Sequence, residues 1–439
     1  MNTPICDFVR RYAAENRSRL HMPGHKGKAV LGFEHLDITE VSGADSLYEA
    51  EGIIAESESN ASALFGCPTF YSTEGSSQCI RAMLQLATCG GNRRVAAARN
   101  AHKTFLSAAA LLDLQVDWLY PNTQDAYLAC PITGEDLEWY FALCDETPSA
   151  VYVTSPDYLG NVLPIAELAE VCHRNGALLL VDNAHGAYLK FLPESRHPMD
   201  LGADLCCDSA HKTLPVLTGG AYLHVREEFS PDAKTALALF GSTSPSYLIL
   251  QSLDAANALL AAPDYGQKLA ELSDAVAALR QQLSQIGIPA DWGDEPLKIT
   301  MAPRAYGYTG YDFAAILRDH GIECEFADPD FLVLMVSTGN TAEDLQSVAQ
   351  ALTTRPRRDP ITTEPPRIGF PLQVMSIREA ILAPAETLPI AQCLGRVSAA
   401  ATVGCPPAVP IVVSGERIDE NALNCFAYYG IETCRVVKE

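Results

Sequence analysis

An apolar run, Leu178-Leu179-Leu180-Val181, ends in Asp182-Asn183-Ala184-His185-Gly186, and Ser209-Ala210-His211-Lys212-Thr213-Leu214-Pro215 follows it. A buried strand that delivers a carboxylate, with a lysine downstream among serine, histidine and threonine, suits pyridoxal 5'-phosphate (PLP). The Lys212 amine forms the Schiff base that holds such a cofactor. An ionised Asp182 keeps the pyridine nitrogen protonated, so that the ring accepts electrons from a carbanion at the substrate α-carbon. A lysine with these neighbours is by itself most often a surface group. The reading therefore rests on what surrounds it.

Four further features surround it. Ser72-Thr73-Glu74-Gly75-Ser76-Ser77-Gln78 lies between a strand pattern and a helix pattern. Gly75 lets the backbone come close, and Ser76, Ser77 and the helix N-terminus suit a phosphate; the plain alternative is an ordinary serine cap. Arg99-Asn100-Ala101-His102-Lys103-Thr104 follows the next strand, where the His102 imidazole is placed to lie against a cofactor ring or to bond backbone in a loop. His185 stands at the exit of the Asp182 strand, within reach of a ring hydroxyl or simply packed. Ser209 and His211 flank Lys212 and suit phosphate. Each signal is weak alone; their recurrence at successive strand ends is not.

The elements that carry these residues alternate. Helical patterns at residues 61–65, 78–87, 105–112 and 165–175 (Gly176 as cap) interleave with strand patterns at 68–73, 94–98, 116–119, 150–154, 178–181 and 219–225. Repeated strand–helix–strand units with continuously apolar strands predict an α/β fold with a mainly parallel sheet covered on both faces. Ligands in such sheets sit beyond the carboxyl ends of the strands. An N-terminal helix is expected from Ile5 to about Arg19, a long helical region over residues 247–286, and a smaller α/β unit over 289–354 with strands near 298–302 and 331–336. A proline-rich stretch at 355–371 reads as a linker. His21 and His25 have the spacing of a helical metal pair, but Pro23-Gly24 between them breaks the helix, so no metal site is expected.

Composition bounds the class. The chain has 439 residues, 48% of them hydrophobic, and 31 basic against 54 acidic residues give a net charge of −23. That balance disfavours nucleic acid as a partner and favours approach of a cationic small molecule. No apolar run is long enough for a transmembrane helix, and the start lacks a signal-peptide pattern. Fourteen cysteines without a Cys-x-x-Cys pair read as reduced thiols, so a cytoplasmic protein without a membrane partner is expected.

These residues resemble the ornithine/lysine/arginine decarboxylase family of the aspartate-aminotransferase fold, in its short bacterial form without an N-terminal wing domain. The resemblance is carried by His21-Met22-Pro23-Gly24-His25-Lys26, Asp45-Ser46-Leu47 with Glu51-Gly52, Glu74-Gly75-Ser76-Ser77, Arg99 to Lys103, Asp182 to Gly186 and Ser209 to Pro215. Gly395-Arg396-Val397-Ser398-Ala399-Ala400, and Pro406-Pro407 through Gly415-Glu416, extend it nearly to the end. It implies a fold-type-I PLP enzyme with a seven-stranded sheet, a small α/β domain and a C-terminal α+β domain. The expected division is an N-terminal arm (1–57), a large PLP-binding domain (58–246), a connecting helix with the small domain (247–358) and the C-terminal domain (359–439).

Carried over, the resemblance makes Lys212 the Schiff-base lysine, Asp182 the pyridine partner, and His102 the group stacked on the ring. Gly75, Ser76, Ser77, Ser209 and His211 would hold phosphate, and His185 would lie near the ring hydroxyl. It also implies a homodimer with shared active sites, in which Ser242 and Thr243 of Ser242-Thr243-Ser244-Pro245-Ser246-Tyr247 reach the neighbour's phosphate. Glu74, Asp157, Asn183, Cys405 and Ala408 depart from the family pattern and bear on the substrate. The expected reaction is α-decarboxylation of lysine, arginine or ornithine, with Lys212 or His211 returning a proton. Asp45, Glu49 and Glu51 are the candidate acids for a basic side chain. The alternatives are an aminotransferase or other PLP lyase, which shares Lys212 and Asp182, and a non-catalytic PLP-binding regulator, which would not require both groups.

Overall fold

The computed structural model describes residues 1–122, 126–367, 369–400 and 407–439. Seven strands follow in chain order: β1 (Thr69–Ser72), β2 (Arg94–Ala98), β3 (Gln115–Leu119), β4 (Ala150–Thr154), β5 (Leu178–Asp182), β6 (Leu205–Asp208) and β7 (Ala221–Val225). They form one sheet of order β1-β7-β6-β5-β4-β2-β3. β2 runs parallel to β3 and β4, and β5 parallel to β6, whereas β7 runs antiparallel to both β1 and β6. Burial explains the apolar runs: every residue of β6 and β7 is buried, as are four of the five in β5.

Helices occupy the intervals: α1 (Pro4–Ala14), α2 (Ile53–Phe65), α3 (Ser76–Thr88), α4 (Lys103–Leu112), α5 (Gly134–Leu143), α6 (Ile165–Arg174) and α7 (Ala210–Thr213). In α6 the buried residues Ile165, Leu168, Ala169, Val171 and Cys172 trace one face at helical spacing, and Gly176, at φ +75°, turns the chain into β5. α1 stops at Ala14 rather than near Arg19, because Asn16 adopts a left-handed conformation (φ +47°). The long helical region is two helices, Tyr247–Leu260 and Tyr265–Gln285. Pro263, in the break between them, lacks the N–H that a continuous helix would need.

By packing, the chain divides into two discontinuous units. One comprises Met1–Gly90 with Leu178–Leu269, the other Gly91–Ala177 with Ala270–Glu439. The first holds β1, β5, β6 and β7 and the helix α3, which packs on β5, β6 and β7. The second holds β2, β3 and β4, a three-stranded antiparallel sheet built from Lys298–Met301, Phe326–Ala327 and Leu332–Met335, and a hydrogen-bonded pair, Ala385–Pro389 with Thr433–Val437. A buried ion pair braces it: Arg99 donates to Glu416 (3.0 Å) and to the carbonyls of Pro410 and Ile411, with both side chains almost fully buried. No helix among the described residues is long and apolar enough to cross a membrane.

Candidate active site

Most of the predicted site lies within the first unit, at the carboxyl ends of its strands. After β1 the chain turns at Gly75, whose φ of +70° suits glycine, and enters α3 at Ser76. Gly75 N–H donates to the Gly219 carbonyl at 2.8 Å. A side chain at Gly219 would press to 3.0 Å from the Thr73 carbonyl, so the close approach needs glycine at 219, whereas at Gly75 it is the backbone angle that does. Ser72 Oγ donates to Gln78 Oε1 (2.6 Å), and Gln78 Nε2 donates to Tyr48 Oη and the Leu237 carbonyl. Fully buried Gln78 is thus the strut of the loop, a role its position at a helix start did not announce.

β6 supplies the facing wall. Ser209 Oγ donates to Ser76 Oγ at 2.7 Å, so two of the predicted phosphate residues meet directly at the N-terminus of α3. Hydroxyls and a helix N-terminus together make an anion seat. The short helix α7 then presents His211 and Lys212. His211 Nδ1 donates to the Gly220 carbonyl at 3.0 Å. Burial pushes the His211 pKa down, and the Lys212 charge adds to this.

Lys212 Nζ lies 3.0 Å from His185 Nε2. An ammonium has only hydrogens to offer, so the imidazole nitrogen accepts and His185 carries its proton on Nδ1. Asp182 ends β5 and is 2% exposed; its Oδ1 accepts from the Ala184 N–H (3.2 Å) and from the Cys207 thiol (3.7 Å). The first unit therefore assembles an anion seat, an amine against an imidazole, and a buried carboxylate.

The other predicted residues are placed differently. His102, in the second unit, is the N-cap of α4; its Nδ1 accepts from the Thr104 N–H at 3.1 Å, which fixes the ring and leaves the proton on Nε2. Ser242 and Thr243 are exposed. Asp45, a candidate acid for the substrate side chain, is buried and held by backbone. Its two oxygens accept from the N–H groups of Ser46, Glu51, Gly52 and Ile54 at 2.8–3.1 Å. Burial alone would raise its pKa, but these backbone donors hold it below the usual carboxylate value. Glu49 is exposed and accepts from Ser46 Oγ; Glu51 is exposed.

Among the divergent positions, Glu74 is exposed. Asp157 is buried and accepts from the Leu159 and Asn161 N–H groups and from Asn161 Nδ2. Burial pushes its carboxyl up to about 6 despite them. Asn183 is fully buried and donates to Asp208. Ala408 sits at φ +58°, its carbonyl accepting from the Lys103 N–H. Cys405 lies outside the described residues.

Comparison with known proteins gives the family. Residues 3–300 match the Orn/Lys/Arg decarboxylase major domain and residues 371–433 the C-terminal domain of the same family. An arginine decarboxylase of Halalkalibacterium halodurans is 30% identical, over 96% of this chain and 92% of that protein; one from Bacillus subtilis is 29% identical with the same coverage. The crystal structure of the Francisella novicida lysine decarboxylase LdcF superposes with a TM-score of 0.84 at 18% identity, covering 99% of this chain and 81% of that one. The fold is that of the PLP-dependent fold-type-I enzymes. The chain belongs to the ornithine/lysine/arginine decarboxylase family and is an amino-acid decarboxylase.

Proposed function

We propose that the protein removes the α-carboxylate of a basic amino acid, using PLP held through Lys212. The observation that carries this is the meeting of Ser76 with Ser209 at a helix N-terminus, in the same unit as the Lys212–His185 pair and the buried Asp182. Those groups fit the cofactor's three handles: hydroxyls and helix N–H groups for phosphate, an amine for the aldehyde, and a carboxylate for the ring nitrogen. When bound, PLP supplies the electron sink for the pair left at the α-carbon as carbon dioxide departs.

The chain's own residues do the rest. Asp182, fixed by the Ala184 N–H and the Cys207 thiol, keeps a proton on the ring nitrogen. Gly75, Ser76, Ser77, Ser209 and His211 would form the phosphate end, and the family resemblance gives His102 the role of stacking on the ring. Lys212 or His211 would supply the proton that the α-carbon takes up, each from its own nitrogen. His185, whose Nε2 accepts from Lys212, takes part in moving that proton.

The net charge of −23 favours a cationic substrate, and full-length relatives that are arginine decarboxylases put arginine first among the three. Asp45, Glu49 and Glu51 are the candidates to grip its side chain, and Glu49 and Glu51 are the exposed ones. We infer a cytoplasmic homodimer in polyamine metabolism. The exposed Ser242 and Thr243 would reach the neighbouring site, and exposed Leu20, Met22, Val30, Leu31 and Phe33 supply apolar surface for the contact. Competition of arginine, lysine and ornithine for the PLP-loaded protein, with amines identified by mass spectrometry, tests the substrate. Agmatine as the dominant amine supports arginine. A keto acid as product, or no amine from any of the three, contradicts the proposal.

A further inference from the structure

Behind the lysine-bearing turn lies a fully buried carboxylate that the reaction does not use. Asp208 ends β6, directly before Ser209, and has no exposed surface. Its Oδ2 accepts from His197 Nε2 (3.1 Å) and His224 Nε2 (3.0 Å), and its Oδ1 from Asn183 Nδ2 (2.6 Å). The Cys206 thiol approaches Oδ1 at 3.9 Å. His197, His224 and Asn183 are likewise fully buried, and the Phe65 ring covers both imidazoles with centroids at 5.5 Å and 4.4 Å.

A buried carboxylate stays charged only when donors replace its water. Here three nitrogen donors do so. Burial alone would raise the Asp208 pKa, but the two imidazoles and their hydrogen bonds pull it well below the ordinary value. His197 Nδ1 accepts from the Met199 N–H, so its proton sits on Nε2 and points at Asp208. The three side chains are also close enough together to ligate a cation. That proton on Nε2 occupies the position such a cation would need.

Asn183 gives the cluster its reach. It is the residue after Asp182, its N–H donates to the Cys207 carbonyl, and its side chain crosses to Asp208. An acid at 183 would set two carboxylates face to face. On the other side of Asp208, Ser209 meets Ser76, and the Ser209 carbonyl accepts from the Lys212 N–H at 2.9 Å.

We propose that Asp208 is a positioning residue: gripped by His197, His224 and Asn183, it sets the turn carrying Ser209 and Lys212 against the strand end carrying Asp182. The proposal rests on the PLP reading of the site. The hydrogen bond from Asn183 to Asp208 thereby ties both ends of the cofactor's footprint together, beside the Cys207–Asp182 and Lys212–His185 contacts and the sheet.

The test is a swap. In Asp208→Asn the carbonyl still serves both imidazoles but the charge is gone, and the Asn183 amide keeps the link only by turning its oxygen, which has no partner in the parent, toward the new amide. In Asn183→Asp two carboxylates meet. In the double variant the amide at 208 donates to the carboxylate at 183 and the link is restored. PLP affinity, the position and pH midpoint of the visible band of the PLP-loaded protein, and the melting temperature with and without PLP are read for all four proteins. Asn183→Asp should bind PLP at least about tenfold more weakly and shift the band, Asp208→Asn should do so to a smaller extent, and the double should recover to within about threefold of the parent. Single variants that melt earlier but bind PLP and absorb like the parent would reduce the cluster to a purely structural one and overturn the proposal. So would a double variant that recovers nothing, or one equivalent of zinc in the purified protein. If the parent takes up no PLP, the site reading fails as well; non-additive melting temperatures without PLP then still identify the Asn183–Asp208 link.

Discussion

Lys212 Nζ and His185 Nε2 meet at 3.0 Å, although 27 residues separate them in the chain. The strand end that delivers Asp182 also delivers His185, so one β-turn region supplies both the carboxylate and the acceptor for the lysine. Replacing His185 with Leu removes that acceptor while keeping bulk. In the PLP-loaded protein that amine is held in the Schiff base, so the loss expected is His185's part in moving the proton, about 10^2-fold or more in kcat/KM. PLP should remain bound, so steady-state kinetics and the visible spectrum of the same sample check the expectation together.

Asp182 acts on rate more than on retention. Asp182→Asn keeps the shape and the contact with the Ala184 N–H but removes the charge. We expect kcat to drop by about 10^2- to 10^3-fold, the size of losing one preorganised electrostatic group, with PLP affinity changed far less. Turnover near that of the parent would contradict the role.

Glu416 tests the C-terminal segment. It is 1% exposed and pairs with Arg99, itself 3% exposed. Glu416→Ala leaves a buried guanidinium short of its counter-charge and should destabilise by about 3–5 kcal/mol. Glu416→Gln retains an acceptor for Arg99 and should lose less. Denaturant titration of the two variants checks the order.

Asp328 sets a pH dependence. It is 4% exposed, its Oδ1 accepts from the N–H groups of Asp330 and Phe331, and its Oδ2 is buried without a partner. Burial pushes its carboxyl up to about 7 from an ordinary value of 3.8. The folded state therefore holds this proton more tightly than the unfolded one. The stability it contributes is fully present below the unfolded value and is lost as pH rises toward the folded value. Asp328→Asn, neutral at every pH, should raise the melting temperature relative to the parent above pH 7. That advantage should shrink as pH falls toward 4. Parallel melting curves across that window would contradict the assignment.

How far the sequence carries these conclusions depends on the residue. Lys212, Asp182, Ser76 and Ser209 can be singled out from the sequence because strand ends leave a local signature: an apolar run, then a polar residue and a turn. The break at Pro263 was equally local, and the helical periodicity on either side concealed it. Nothing in the spacing around Asp45 reveals the five backbone donors that fold back onto it. The Asp208 cluster was out of reach for another reason. His197, His224 and Asn183 approach it from a 3-10 turn, an antiparallel strand and a strand exit, and only the sheet order joins them. A histidine inside the otherwise apolar Ala221–Val225 strand was the one available sign, since a buried imidazole needs a partner.

The most direct test of the account is release of labelled carbon dioxide from carboxyl-labelled arginine, lysine and ornithine by PLP-loaded protein, beside Lys212→Ala loaded in the same way. The account predicts release with at least one of the three, an equivalent amount of the matching amine, and none of either above background from Lys212→Ala. Equal release from both proteins, or uptake of PLP with no release from any of the three, would contradict it.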